Sequence, residues 1–176
     1  MTPEGKRTPS YQIDGRVDSV RKVGFIGGYV HQVDSKGRVA VPASWRKLLD
    51  NELIISIGLD GAVQLSSLAY WELQLQGLPG ILSQMPLRDV ERLIIPRLSV
   101  VHTDNQGRIL IPSPLRDYSG LVGKASQAVL IGLRNRIELW EVERYRLHEA
   151  QNLALVSRIM PGFPSILPPV VPLDKP

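Results

Sequence analysis

Two short segments of this chain carry the same side-chain chemistry at the same spacing. Asp34-Ser35-Lys36-Gly37-Arg38-Val39-Ala40-Val41-Pro42 and Asp104-Asn105-Gln106-Gly107-Arg108-Ile109-Leu110-Ile111-Pro112 share Asp, Gly, Arg and Pro at identical offsets. Arg46 and Arg116 follow at the same distance. An aspartate ahead of a glycine is turn chemistry: the carboxylate accepts local backbone N–H groups, and glycine tolerates positive φ. An arginine just past such a turn projects from a hairpin tip. Its guanidinium holds five donors in a fixed fork that suits phosphate oxygens or guanine O6 and N7. A two-stranded ribbon fits the major groove, so Arg38 and Arg108 are candidate DNA contacts. Lys36 would add a phosphate contact, and Gly37 would let backbone approach closely. The spacing equally admits a local reading, in which Asp34 and Arg38 pair and stiffen the hairpin. Asp34, Asp104 and Gly107 are expected to shape the turns, since phosphate repels a carboxylate.

The two copies differ in charge. The first offers Lys36, Arg38, Arg46 and Lys47; the second offers Arg108 and Arg116, with Gln106 and Asp117 where the first has lysines. The first repeat is therefore expected to be the main nucleic-acid face, and the second to be structural or to serve oligomer contacts. Arg46 and Arg116 could instead brace the short helices.

The duplication extends into the elements that must hold these turns. Ile54-Ile55-Ser56-Ile57-Gly58 resembles Val129-Leu130-Ile131-Gly132, and Val63-Gln64-Leu65 corresponds to Ile137-Glu138-Leu139. Each unit reads as strand, tight turn, strand, short helix, strand, turn, strand, helix. Residues 29–33 and 98–103 are rich in β-branched residues and lead into the turns as the first arms of hairpins. Pro42 and Pro112 end the second arms and suit the first turn of a helix. Short helices are expected over 43–49 and 114–119, the second capped by Gly120. Leu68, Trp71, Leu75 and Leu78 recur at helical spacing. Further helices are expected over 87–95, stopped by Pro96, and over 141–157. These boundaries divide the chain into a flexible basic arm (1–24), a first module with linker helices (25–95), a second module (96–158) and a proline-rich tail (159–176).

Composition narrows the function classes. Of 176 residues, 43% are hydrophobic and 22% charged, enough for a packed core. A net charge of +4 is compatible with nucleic acid without proving it. The absence of cysteine excludes disulfides and thiolate metal sites. His31 and His102 fall out of register between the repeats, so no metal site is expected. No apolar run reaches the roughly 18–20 residues of a membrane span, and residues 1–24 contain no apolar signal core, so a cytoplasmic protein is expected. Two equivalent aspartates in duplicated β-modules invite comparison with an aspartic protease pair. That pair needs Asp followed by Thr or Ser and then Gly, and Gly37 lies one residue too far. Neither an enzyme, a cofactor nor a small-molecule substrate is expected. Trp45, Trp71 and Trp140 are expected in the core, with an interface as the alternative.

The segments Gly28-Tyr29 … Asp34-x-Lys36-Gly37-Arg38-Val39-Ala40-Val41-Pro42 … Arg46 and Asp104-x-Gln106-Gly107-Arg108-Ile109-Leu110-Ile111-Pro112 … Leu115-Arg116 … Leu121 resemble the two halves of the MraZ family. Arg136-Ile137-Glu138-Leu139-Trp140 is similar to that family's closing segment, and the likeness spans about residues 25–158. The resemblance implies an α+β, mainly β fold: two tandem swapped-hairpin AbrB-like modules forming a double β-barrel with flanking helices. It also implies a ring-shaped homo-oligomer associated with the nucleoid. That ring would bind double-stranded DNA at short direct repeats upstream of the division and cell wall gene cluster, usually as a repressor, through the Asp-x-x-x-Arg turn. The arm, the tail, Pro96 and Tyr145, which stands where the family often has Trp, depart from the pattern. An AbrB-like interaction or antitoxin module that binds no operator is the alternative.

Overall fold

The computed structural model describes residues 24–49, 52–81, 87–123 and 126–160. The expected arm up to residue 23 and the proline-rich tail from 161 lie outside the described residues. In chain order the elements are β1 (Phe25–Gln32), β2 (Arg38–Ala40), α1 (Ala43–Arg46), β3 (Leu53–Ile57), β4 (Val63–Ser67), α2 (Leu68–Ile81) and α3 (Leu87–Ile94). A 3₁₀ turn at Ile95–Arg97 leads into β5 (Ser99–Val101), β6 (Arg108–Leu110), α4 (Ser113–Ser119), β7 (Gln127–Arg134), β8 (Arg136–Glu141) and α5 (Val142–Ile159).

Equivalent strands of the two repeats are β1 and β5, β2 and β6, β3 and β7, and β4 and β8. The main sheet has six antiparallel strands in the order β1-β7-β8-β4-β3-β5, while β2 and β6 form a separate two-stranded ribbon. Each repeat therefore lends its first strand to the other: β1 pairs with β7, and β5 pairs with β3. The central pair β4–β8 is symmetric about Gln64 opposite Glu138, with Val63 facing Leu139 and Leu65 facing Ile137. In the ribbon, Val39 faces Ile109, with Arg38 opposite Leu110 and Ala40 opposite Arg108. Two sequence copies have thus folded as one pseudo-twofold body.

This arrangement corrects two expectations. The sheets are open, with β1 and β5 as the edges of the larger one, so the double barrel is not closed. Nor do the strands flanking each turn form simple hairpins. The first turn closes through Asp34 N–H to the Arg38 carbonyl at 2.9 Å and a single bridge between Val33 and Val39. Beyond that bridge the short strand turns to its counterpart: Val41 N–H donates to the Gly107 carbonyl and Ile111 N–H to the Gly37 carbonyl, both at 2.9 Å. The exchange satisfies backbone groups that a three-residue strand would otherwise leave open at its edge.

Strand periodicity explains the core. Val39, Val41, Ile109 and Ile111 point inward and are fully buried, while Leu110 between them is 50% exposed. They pack with Ile55, Leu65, Leu130, Ile137 and Leu139 from the larger sheet. Trp45 of α1 is buried edge-on against Phe25 and Tyr29, and its indole N–H donates to the Ile26 carbonyl at 3.2 Å. A smaller cluster of Ala62, Val129 and Trp140 seats α5 through Val142 and Tyr145. Trp45 and Trp140 are thus core residues, as expected.

Helix ends follow their local chemistry. The first short helix stops at Arg46 rather than 49, continuing as a turn in which Leu48 N–H reaches the Trp45 carbonyl. Gly120 takes the left-handed φ of 79° that ends α4. Pro96 sits in the 3₁₀ turn directly after α3. Glu141 caps α5 by accepting the Arg144 N–H at 3.0 Å.

Because Ile109 fills the space between ribbon and sheet, Ile109→Ala should cost about 2–5 kcal/mol. Leu110→Ala, on the outer side of the same strand, should change stability little. Urea unfolding of the two variants checks the contrast.

Candidate nucleic-acid interface

Each turn is organised by its aspartate. Asp34 Oδ1 accepts the Lys36 and Arg38 backbone N–H groups at 2.9 Å each, and its Oδ2 accepts Arg38 Nε–H at 2.7 Å. Asp104 repeats the pattern with the Gln106 and Arg108 N–H groups at 2.9 and 3.0 Å, and with Arg108 Nε–H at 2.9 Å. The Nη2 group of each arginine lies 2.7 Å from its own aspartate. Both glycines adopt positive φ, +81° at Gly37 and +72° at Gly107, and donate to the preceding aspartate carbonyl at 2.8 Å.

The ribbon brings the turns of the two repeats together. Arg38 Nη1 lies 3.6 Å from Asp104 Oδ2, and Arg108 Nη1 lies 3.7 Å from Asp34 Oδ2. Two arginines and two aspartates form a crossed quartet. The two turns, expected from sequence to serve separate roles, lie side by side in the structure. The local ion-pair reading of Arg38 describes its geometry here. Each guanidinium nevertheless directs only its Nε–Nη2 edge at its own carboxylate, and its side chain stays 29% exposed at Arg38 and 25% at Arg108. A planar fork with five donors keeps hydrogens to spare for a further anion.

Arg46 and Arg116 are exchanged between repeats. A Cβ at Gly107 would meet Arg46 Nη1 at 2.5 Å, and one at Gly37 would meet Arg116 Cζ at 2.7 Å. Gly37 is therefore buried, and the close approach its missing side chain allows is used by a guanidinium of the same chain. Arg46 Nε–H donates to the Val41 carbonyl at 2.9 Å, so it braces α1 against the ribbon while remaining exposed as a residue. Arg116 is less exposed, and its buried Nε has no hydrogen-bond partner. Sequence reading found both arginines but not the exchange, which needs the crossed ribbon. Lys36 and Lys47 are exposed.

The electrostatics agree with this geometry. The Asp34 carboxyl is held below its usual range, first by the Arg38 backbone N–H and then by the Arg38 side chain. The Asp104 carboxyl falls to about 2, chiefly through the Arg108 side chain and backbone N–H. A protease-like dyad needs one carboxyl pushed upward to share a proton. Here both shift downward, because each has its own guanidinium. His31 is held neutral more firmly than usual by burial and by the nearby positive charge of Arg46. Among the described residues, no group of three or more His, Asp or Glu side chains could hold a metal ion.

The lowered aspartates set a direction for acid sensitivity. Above the ordinary pKa of 3.8 both folded and unfolded carboxyls are ionised, and the pairing contributes in full. As pH falls toward about 2 the unfolded chain takes up the proton first, and that contribution is lost. Asp104→Asn should therefore be less stable at neutral pH, yet lose less of its remaining stability through this acid window. Urea unfolding at stepped pH checks both slopes.

Known proteins place this site in context. The family model described as "MraZ protein, putative antitoxin-like" matches residues 25–96 and 99–158, one copy on each repeat. A protein named transcriptional regulator MraZ from Lachnoclostridium phytofermentans is 32% identical over 142 residues, covering 79% of this chain and 96% of that protein. Its namesake in Acetivibrio thermocellus is 36% identical over 76% of this chain and 92% of its own length. That of Symbiobacterium thermophilum is 36% identical over 76% and 96%. With both repeats matched and relatives covered almost from end to end, this chain belongs to the MraZ family, a family without enzymatic activity.

Proposed function

We propose that this protein is a DNA-binding transcriptional regulator that grips the phosphate backbone and base edges with the paired turns of its β2–β6 ribbon. The observation that carries this reading is the joining of both Asp-x-x-Gly-Arg turns into one patch. Arg38, Arg46, Arg108 and Arg116 gather there around two turn carboxylates, with Lys36 on the first turn and Lys47 next to Arg46 in the chain. The name transcriptional regulator, borne by relatives matched over most of their length, supports it. In this reading Arg38 and Arg108 make the central contacts, Lys36, Arg46 and Lys47 hold flanking phosphates, and Asp34, Asp104, Gly37 and Gly107 shape the tips. No helix among the described residues is long and apolar enough to cross a membrane, which fits work on a chromosome in the cytoplasm.

The finer reading follows the family resemblance: repression of the division and cell wall gene cluster, through direct repeats bound by a ring of subunits. A single patch bears few cations, and non-specific binding of about 10⁻⁴–10⁻⁶ M falls steeply with salt. Linked copies gain about 10²–10⁴ in avidity without new contact types. Neighbours in a ring are related by rotation, which suits direct repeats better than a palindrome.

Gel-shift titration with the DNA upstream of the coding sequence tests this. Arg38→Ala should abolish the specific shift while chromatography shows the oligomer unchanged. Lys36→Ala should weaken binding evenly across sequences and reduce the salt slope by about one. A wild-type chain that shifts no DNA would favour an interaction module instead.

A further inference from the structure

Resting on the DNA-binding reading, one feature of the patch goes beyond it. The guanidiniums best placed to meet phosphate are already held. Arg38 and Arg108 each give their Nε–Nη2 edge to a carboxylate of their own turn, with contacts of 2.7–2.9 Å, and point Nη1 at the carboxylate of the other. We propose that Asp34 and Asp104 act as built-in competitors of the DNA phosphates. Each lends the arginine to the polyanion only in part, and so holds affinity below what the same cations would reach unopposed.

The chemistry separates the two duties of each aspartate. Oδ1 shapes the turn by accepting two backbone N–H groups, a task a neutral amide oxygen also performs. Oδ2 carries the contest for the guanidinium, and its strength comes from charge. Asparagine thus keeps the turn acceptor and removes the competitor. The contest is shared between the repeats, because each carboxylate faces both arginines. For a protein that assembles many weak contacts, such attenuation keeps any single patch from binding alone and leaves tight binding to arrays of sites. Discrimination then comes from the number of patches engaged.

The experiment compares wild type, Asp34→Asn, Asp104→Asn and the control Asp117→Asn for binding a labelled duplex from immediately upstream of the coding sequence. Asp117 is exposed on α4, so its replacement adds the same net charge without releasing a guanidinium. Folding is verified by circular dichroism. The turn variants should bind about tenfold more tightly, the scale of one charge-assisted contact, and well beyond the control. Their plots of log K against log salt should steepen by about 0.9 for each added phosphate contact. Turn variants that fold but gain no more than Asp117→Asn overturn the competition and leave the DNA-binding reading standing. Failure of wild type and turn variants alike to bind the duplex overturns both.

Should asparagine unfold the turns, the wild-type chain supplies the answer. On saturation with the duplex, the ¹⁵N signals of Arg38 and Arg108 Nε–H should move as phosphate weakens their bonds to the carboxylates. Unmoved signals in the saturated complex overturn the competition.

Discussion

The crossed pairing of β2 with β6 is the constraint on which the rest of this structure depends. Three residues from each repeat, too few for a stable hairpin arm, form their ladder with one another, beyond a single bridge to their own turn. Their inward side chains, Val39 and Ile109, then close the core against the six-stranded sheet. The same pairing exchanges Arg46 and Arg116 across the pseudo-twofold axis, where each fills the space beside the other repeat's glycine. Each turn is shaped within its own repeat, while the core and the ribbon are completed by the other.

Charge follows from that geometry. Holding two turns side by side would set Arg38 against Arg108, and the paired aspartates offset that repulsion while ordering the backbone. The centre of the patch is therefore almost neutral and rigid, and its outward cations lie around it. A rigid tip loses little conformational entropy on binding. A nearly neutral centre leaves the net positive charge of the patch to the cations around it.

Much of this was legible in the sequence. The paired Asp-x-x-Gly-Arg segments announced the turns, because both the carboxylate's backbone contacts and the glycine's positive φ are local. Gly120 ends its helix, and Pro42 and Pro112 begin theirs, for reasons equally local. Counterpart strands were recognisable from apolar runs such as Ile54–Ile57 and Val129–Ile131. What stayed hidden is non-local. Alternation at Val39 and Ile109 names the inward face but not the strand that lies beside it. A hairpin within each repeat and a ribbon between repeats satisfy the same pattern. The joining of two faces into one, and the packing of Arg46 on Gly107, follow only from that choice of partner. The open edges at β1 and β5 likewise depend on which strands meet, which the barrel expectation assumed rather than derived.

The most direct measurement is site-specific photocrosslinking to the upstream duplex from Ser35 and Asn105, the exposed tip residues that take no part in the quartet, with Asn152 on α5 as control. If both turns meet DNA as one patch, both tips crosslink in the same complex and Asn152 does not. Crosslinking from Ser35 alone, or from α5 in preference to the tips, would contradict a shared interface.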